Sequence, residues 1–185
     1  MNNNIALIEF SKIAVGIKAV DEMLKAAEVN LLHSRFICPG KYSVLISGNL
    51  SNVEAALFAG LDLAKKQKAV VAKFLIANIA DEVLEIIEEN SSTVKEILSL
   101  GILEYNNIAI GIRAADTAVK SSKVELVKLR LAMMIGGKSV LIFTGDTEAC
   151  KQALNTIESK INNKYLISKV LISNPSLKLK KELLK

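Results

Sequence analysis

Ala6-Leu7-Ile8-Glu9-Phe10-Ser11-Lys12-Ile13-Ala14-Val15-Gly16-Ile17 is written a second time in this chain, with changes, as Gly101-Ile102-Leu103-Glu104-Tyr105-Asn106-Asn107-Ile108-Ala109-Ile110-Gly111-Ile112. The echo runs on, with Lys18 to Lys25 lying over Arg113 to Lys120. Eight of the twenty aligned positions are identical, where unrelated sequences share about one or two, so the chain carries an internal duplication. After a two-residue insertion the match resumes. Gly40-Lys41-Tyr42-Ser43-Val44-Leu45-Ile46-Ser47-Gly48 lies over Gly137-Lys138-Ser139-Val140-Leu141-Ile142-Phe143-Thr144-Gly145, with slippage expected around the turn. Anchored on Gly48 and Gly145, the segments that follow set Val53 over Cys150, Ala56 over Ala153 and Leu57 over Leu154. The polar stretch Glu89-Asn90-Ser91-Ser92 marks the seam and divides the chain into residues 1–93 and 94–185.

Each copy reads as β-α-β-β-α-β with a short terminal helix. Ala6 to Phe10 is a short apolar run broken by one glutamate, the pattern of a strand buried mainly on one face. Ile13, Ile17, Val20, Leu24 and Ala27 then recur at helical spacing, and Ile108, Ile112, Ala115 and Val119 repeat it. Val29 to Ile37 and Tyr42 to Ser47 read as two strands joined at Pro39-Gly40, a turn dipeptide. Val53, Ala56, Leu57, Gly60, Leu61 and Ala64 give the second helix its inner face, and Val70 to Ala77 closes the sheet. Two helices on one face of an antiparallel sheet define a ferredoxin-like α+β layer, here twice in tandem.

Composition narrows the function classes. The net charge of +5 is spread thinly, gathering only at Lys65-Lys66-Gln67-Lys68 and in the tail from Lys178 to Lys185. With no tryptophan and few aromatics to stack on bases, nucleic acid is not an expected partner. The longest nearly apolar stretch, Ala69 to Ala80, is too short to span a bilayer and is broken by Lys73. The start, Met1-Asn2-Asn3-Asn4, lacks the basic-then-apolar layout of a secretory signal, which leads to the expectation of a cytoplasmic protein. His33, the single histidine, has no metal-site spacing around it and reads as strand decoration. No histidine is placed to activate Ser11, Ser34 or Ser47, so a hydrolytic triad has no support. Gly136-Gly137 lacks a nucleotide-binding pattern and reads as a turn. Catalytic machinery is therefore not expected.

The run from Gly16 to Ala27, its echo from Gly111 to Ser122, and the Gly-Lys-strand-Gly pattern at 40–48 and 137–145 resemble the shell domain of bacterial microcompartments (BMC). The resemblance covers the chain twice. Through Ile37-Cys38-Pro39-Gly40-Lys41 it is nearest to the tandem-domain, T-type tiles of propanediol-utilisation compartments. It implies a homotrimer whose six domains imitate a hexamer, a disc that tiles with other shell proteins, and a location in the shell. It also implies a central axis that serves as a pore or a cofactor site. For the T-type tile the implied cofactor is one [4Fe-4S] cluster per trimer, held by a cysteine from each chain and passing electrons across the shell to a redox enzyme or electron carrier. The family's Pro-Arg-Pro-His-like stretch after the last strand is replaced here by Asn78-Ile79-Ala80 and Asn174-Pro175-Ser176.

Cys38 is thus the candidate cluster ligand. Flanked by Pro39 and Gly40 at a strand end, it has Ile135 as its counterpart in the second copy. One thiolate cannot hold such a cluster, but a threefold axis gathers three. The alternative is an ordinary structural cysteine. Ile37, Pro39 and Gly40 with Ile135, Gly136 and Gly137 are the expected axis lining, and the turns at 37–40 and 134–137 would frame a metabolite pore if no cofactor is held. A soluble ligand-binding or regulatory ferredoxin-like protein is the third alternative. Cys150 falls on the inner face of a helix and reads as a small hydrophobe. Glu9 and Glu104 recur inside apolar strands, which suggests an architectural pairing with Lys or Arg. Lys25 and Lys120 recur at helix ends, where they either complement the helix dipole or, as the family suggests, make disc-edge contacts.

Overall fold

The structure, a computed structural model, describes residues 3–89, 93–132 and 135–184. Three residues of the expected seam, Asn90 to Ser92, lie outside the described residues. The chain divides into two compact units, residues 1–79 and 80–185.

In the first unit, β1 (Asn4–Phe10), α1 (Ile13–Ala26), β2 (Asn30–Ile37), β3 (Lys41–Gly48), α2 (Leu50–Lys66) and β4 (Val70–Ile76) follow one another. The four strands form an antiparallel sheet in the order β2-β3-β1-β4. Both helices pack on one face, where Ala6, Ile8, Phe10, Val44 and Ile46 meet Ala19, Val20, Met23, Val53, Leu57 and Leu61 in one core. The second unit opens with α3 (Asp81–Glu89), then repeats the plan with β5 (Ser99–Tyr105), α4 (Ile108–Ser121), β6 (Glu125–Leu131), β7 (Ser139–Gly145), α5 (Thr147–Lys160) and β8 (Leu166–Ile172), and ends in α6 (Leu177–Leu183). Its sheet order is β6-β7-β5-β8. This is the ferredoxin-like α+β layer expected twice over.

The two sheets share register in detail. Asn4 pairs with Gly48 and Phe10 with Tyr42, while Ser99 pairs with Gly145 and Tyr105 with Ser139. The stretches 40–48 and 137–145 therefore correspond residue for residue, and the expected slippage does not occur. The bulges recur too, between Leu31 and His33 in β2 and between Leu126 and Lys128 in β6. The length difference falls in the turn: three residues separate β2 from β3, and seven separate β6 from β7. Part of that difference reflects β2 running one step further, to Ile37.

Two further details differ from the sequence reading. The division expected at residue 93 sets the helix after β4 in the first copy, whereas α3 packs along β6 and α4 of the second unit. In α1 the buried residues are Gly16, Ala19, Val20 and Met23. The expected stripe members Ile17 and Leu24 point outward, 49% and 41% exposed. Gly16 sets the bare helix backbone against the sheet, where a Cβ would come within 2.8 Å of Tyr42 Cδ1. Gly111 does the same in α4, yet Ile112, the counterpart of Ile17, is fully buried there, in the helix against which α3 packs. By contrast, the expected inner face of α2, from Val53 through Ala64, is the buried face.

Gly111 repeats the close approach in the second unit. A Cβ there would sit 2.1 Å from Ser139 Oγ and 2.4 Å from Ser139 Cβ. Ser139 cannot yield, because its hydroxyl donates to the Asn107 carbonyl at 2.8 Å. Gly111→Ala should destabilise the protein by about 1–3 kcal/mol through overpacking, despite alanine's better helix propensity. Urea unfolding measures it, and an unchanged midpoint would contradict the tight helix–sheet contact.

Candidate functional site

The β2–β3 and β6–β7 turns differ in length and in sequence between the two copies, and both hang from the same brace. Lys41, the first residue of β3, lies 3.7 Å from Glu9 Oε2. Lys138 donates to Glu104 Oε1 at 2.9 Å. Each repeated glutamate thus ties the foot of its hairpin to the adjacent strand, the architectural pairing expected from sequence. The electrostatics differ between copies. Burial pushes the Glu9 carboxyl above the usual carboxylate range, only partly offset by Lys41. The Lys138 hydrogen bond holds Glu104 below it.

In the first unit the turn consists of Cys38, Pro39 and Gly40, all exposed. The Cys38–Pro39 peptide is cis, and Gly40 takes φ +60°, a left-handed conformation that favours glycine. Cys38 is a free, exposed thiol. Ile37 does not join it. Its side chain is only 4% exposed, because the last residue of β2 is turned into the protein, so it is corrected from axis lining to core.

The second turn has no thiol. Ala132 N–H donates to the Lys138 carbonyl at 2.8 Å and Lys138 N–H to the Ile135 carbonyl at 3.3 Å, closing the turn. Gly136 and Gly137 take φ +66° and +81°. Gly136 is exposed while Ile135 and Gly137 are partly covered. Met134, at the start of the expected pore-framing turn, lies outside the described residues.

The other candidates resolve locally. Cys150 is fully buried with its thiol pushed up by burial, as a core cysteine should be. Lys25 and Lys120 each pair with the aspartate one helical turn earlier, Asp21 and Asp116. Ser11 contacts the Ala69 carbonyl, Ser34 shares a 2.8 Å hydrogen bond with Tyr42, and Ser47 is buried. His33 Nε2 lies 3.1 Å from Ser43 Oγ, a pair the sequence reading missed because the residues sit on different strands. Ser43 is fully buried and cannot serve as a nucleophile to an outside substrate. Among the described residues, no three His, Cys, Asp or Glu side chains converge to hold a metal ion. No described helix is long and apolar enough to cross a membrane.

Two ferredoxin-like layers in tandem, with matched hairpins braced by Glu–Lys pairs, define a duplicated-domain protein built to a repeating plan. The BMC domain model matches residues 4–79 and again 99–175, and the chain belongs to that family of bacterial microcompartment shell proteins. It is 36% identical over 167 residues to the bacterial microcompartment shell protein PduT of Citrobacter freundii, spanning 90% of this chain and 89% of that one. The carboxysome shell protein CsoS1C of Halothiobacillus neapolitanus is 36% identical over 84 residues, 45% of this chain but 86% of its own, as expected if it matches one copy of the repeat. Among solved structures, a microcompartment protein from Desulfitobacterium hafniense aligns with a TM-score of 0.88 at 39% identity, covering 96% of this chain and 98% of that chain. The protein is a structural component of a microcompartment shell, and the soluble ligand-binding alternative gives way to that assignment.

Proposed function

We propose that three copies form a pseudohexameric tile in which the Cys38 thiolates gather on a common axis and hold one [4Fe-4S] cluster, so that the tile carries electrons across the shell. The carrying observation is the free, exposed thiol of Cys38 on the tip of a glycine-terminated turn, in one copy of the repeat only. A trimer then presents three thiols rather than six. The donor chemistry fits: iron–sulfur clusters are bound by cysteine thiolates in number, and a single chain offers one that is accessible. When bound, the cluster supplies a one-electron couple.

The chain's own contributions are positional. Lys41 and Glu9 fix the foot of the Cys38 turn. Gly40, with open space where a Cβ would stand, lets neighbouring turns approach. Ile135 to Gly137 of the second copies would close the ring between the thiols. Other shell tiles at the rim and a redox enzyme or electron carrier at the cluster are the partners this reading requires. No catalytic group enters it. The test is anaerobic purification followed by iron and acid-labile sulfide analysis, with about four of each expected per three chains. Metal-free protein that reconstitution cannot fill would leave a passive tile whose turns frame a pore.

A further inference from the structure

The run Lys65-Lys66-Gln67-Lys68, to which the shell assignment gives no role, stands in the copy that carries Cys38. Between buried Ala64 and Ala69 the first unit has these three lysines; between the corresponding Ile161 and Tyr165 the second has Asn162-Asn163-Lys164. The backbone fixes the correspondence, since Ser11 N–H donates to the Ala69 carbonyl as Asn106 N–H donates to the Tyr165 carbonyl, both at 2.8 Å. Two neighbours change in step. Lys12 stands where the second copy has Asn107, and Phe58, 66% exposed on α2, stands where it has Asn155. Phe58, Asp62 and Lys65 share one stripe of α2, and Asp62, the acid between them, is paired with Lys66 at 2.7 Å.

The lysines are carried on a fixed loop. Lys68 N–H donates to the Lys65 carbonyl and Ala69 N–H to the Ala64 carbonyl, both at 2.9 Å, the paired bonds of a helix end that ordinarily has glycine in its left-handed position. Here that position is Lys68, at φ +49°. A backbone conformation that disfavours any side chain is retained around an exposed lysine, an outlier that points to function rather than to packing. Lys12 Nζ ties the loop to the start of α1 by donating to the Gln67 carbonyl at 2.8 Å.

The loop lies at the same end of the sheet as the thiol. Val70 pairs with Phe10, Phe10 with Tyr42 and Tyr42 with Phe36, one row across all four strands of the first unit. The lysine loop enters this row at β4 and the Cys38 turn leaves it at β2, three strand spacings or about 14 Å away.

We infer that the lysine loop and Phe58 form the docking surface for an acidic protein electron carrier, which they bring to the Cys38 end of the first unit. This rests on the cluster proposed above and names the partner's chemistry. The lysines attract and orient a partner that presents carboxylates, and Phe58 gives the contact an apolar anchor. The second copy, with asparagine at four of these places, offers no equal surface. One electron passes between carrier and cluster, so that one is oxidised as the other is reduced, and no bond is made or broken.

A plant-type [2Fe-2S] ferredoxin with a carboxylate-rich surface serves as the probe, and its affinity for the full-length oligomer is measured at low and at high salt. Lys65→Glu/Lys68→Glu should weaken binding about tenfold or more at low salt, and high salt should do the same to the parent. Lys160→Glu/Lys164→Glu makes the same change of net charge at the counterpart corner, on residues equally exposed, and should alter affinity by less than about twofold. Phe58→Ala should weaken binding and Asn155→Ala should not. Lys68→Gly separates docking from folding: it should weaken binding while the urea midpoint stays level or rises. Equal losses from the two lysine pairs, or equally tight, lysine-dependent capture of a short DNA duplex, would reduce the effect to bulk charge and overturn the docking surface. So would a parent that fails to bind ferredoxin although iron and sulfide analysis shows its cluster filled. Lysine-dependent binding by a parent that reconstitution cannot fill would leave the surface standing and overturn the cluster alone.

Discussion

Replacing Cys38 with serine is expected to remove the iron entirely while leaving the fold and the oligomer in place. The side chain is exposed on a three-residue turn, so the substitution disturbs no packing, and a hydroxyl is a poor substitute for thiolate at iron. The parent, purified without oxygen, should hold about four irons and four sulfides per three chains; the variant should hold none and lose the brown absorption. Thermal and urea unfolding of the iron-free forms of both should coincide within about 0.5 kcal/mol, as for a surface change away from structural features. Cys150→Ser separates the two thiols. It should keep the iron but lose stability, because that thiol is fully buried and a hydroxyl in its place costs desolvation. Iron that survives Cys38→Ser would contradict the assignment of the cluster to this turn.

Acid should weaken the fold through His33. Burial, helped by the charge of Arg35, lowers its pKa from 6.5 to about 3. The folded protein therefore keeps the imidazole neutral, hydrogen-bonded to Ser43, at pH values where the unfolded chain protonates it. Since the folded pKa is depressed for a base, stability is complete above about pH 6.5 and is lost progressively as the pH falls toward about 3. Between pH 7.5 and 4.5 the loss from this one residue is about 2–3 kcal/mol. His33→Gln, which retains a hydrogen-bonding group but no titration here, should flatten the pH dependence of urea unfolding by that amount at a fixed protein concentration. An equal slope in parent and variant would show that His33 is not buried neutral. Glu104 adds acid sensitivity of the same sign, because its folded pKa is lowered, while Glu9, raised by burial, acts in the opposite direction.

The fold was legible because duplication supplied a second witness for each element. Gly16 and Gly111, or Glu9 and Glu104, would each be ambiguous alone; repeated at the same position, they announce a close helix–sheet contact and a braced hairpin. The inner face of α2 was legible for a simpler reason, since its apolar stripe has only one side to bury. Helix α1 was misread because apolar spacing reports which residues avoid water, not what covers them. Ile17 and Leu24 belong to the apolar pattern but not to the core of their own unit, whereas Ile112, the counterpart of Ile17, is fully buried in the helix against which α3 packs. The same ambiguity hid the seating of α3: Val83 and Ile86 declare a buried face, but no local pattern tells which unit receives it.

The candidate site was legible in part. Cys38 stands out as the position where the copies part company, and exposure on a turn is what Pro39-Gly40 dictates. Adjacency in sequence sets Ile37 beside it, but strand alternation turns neighbouring side chains to opposite faces, and its side chain goes inward. The pairing of His33 with Ser43 depends on register across β2 and β3, where a bulge shifts the partners by one residue. Such a shift cannot be read from either strand alone.

Native mass spectrometry of the anaerobically purified, cluster-reconstituted protein tests the central claim most directly, since one spectrum reports both assembly and cofactor. The expected spectrum is a trimer carrying the added mass of one Fe4S4 core, reduced to the bare trimer by Cys38→Ser. A monomer, or a trimer that takes up no core under conditions that fill a known iron–sulfur protein, would contradict the account.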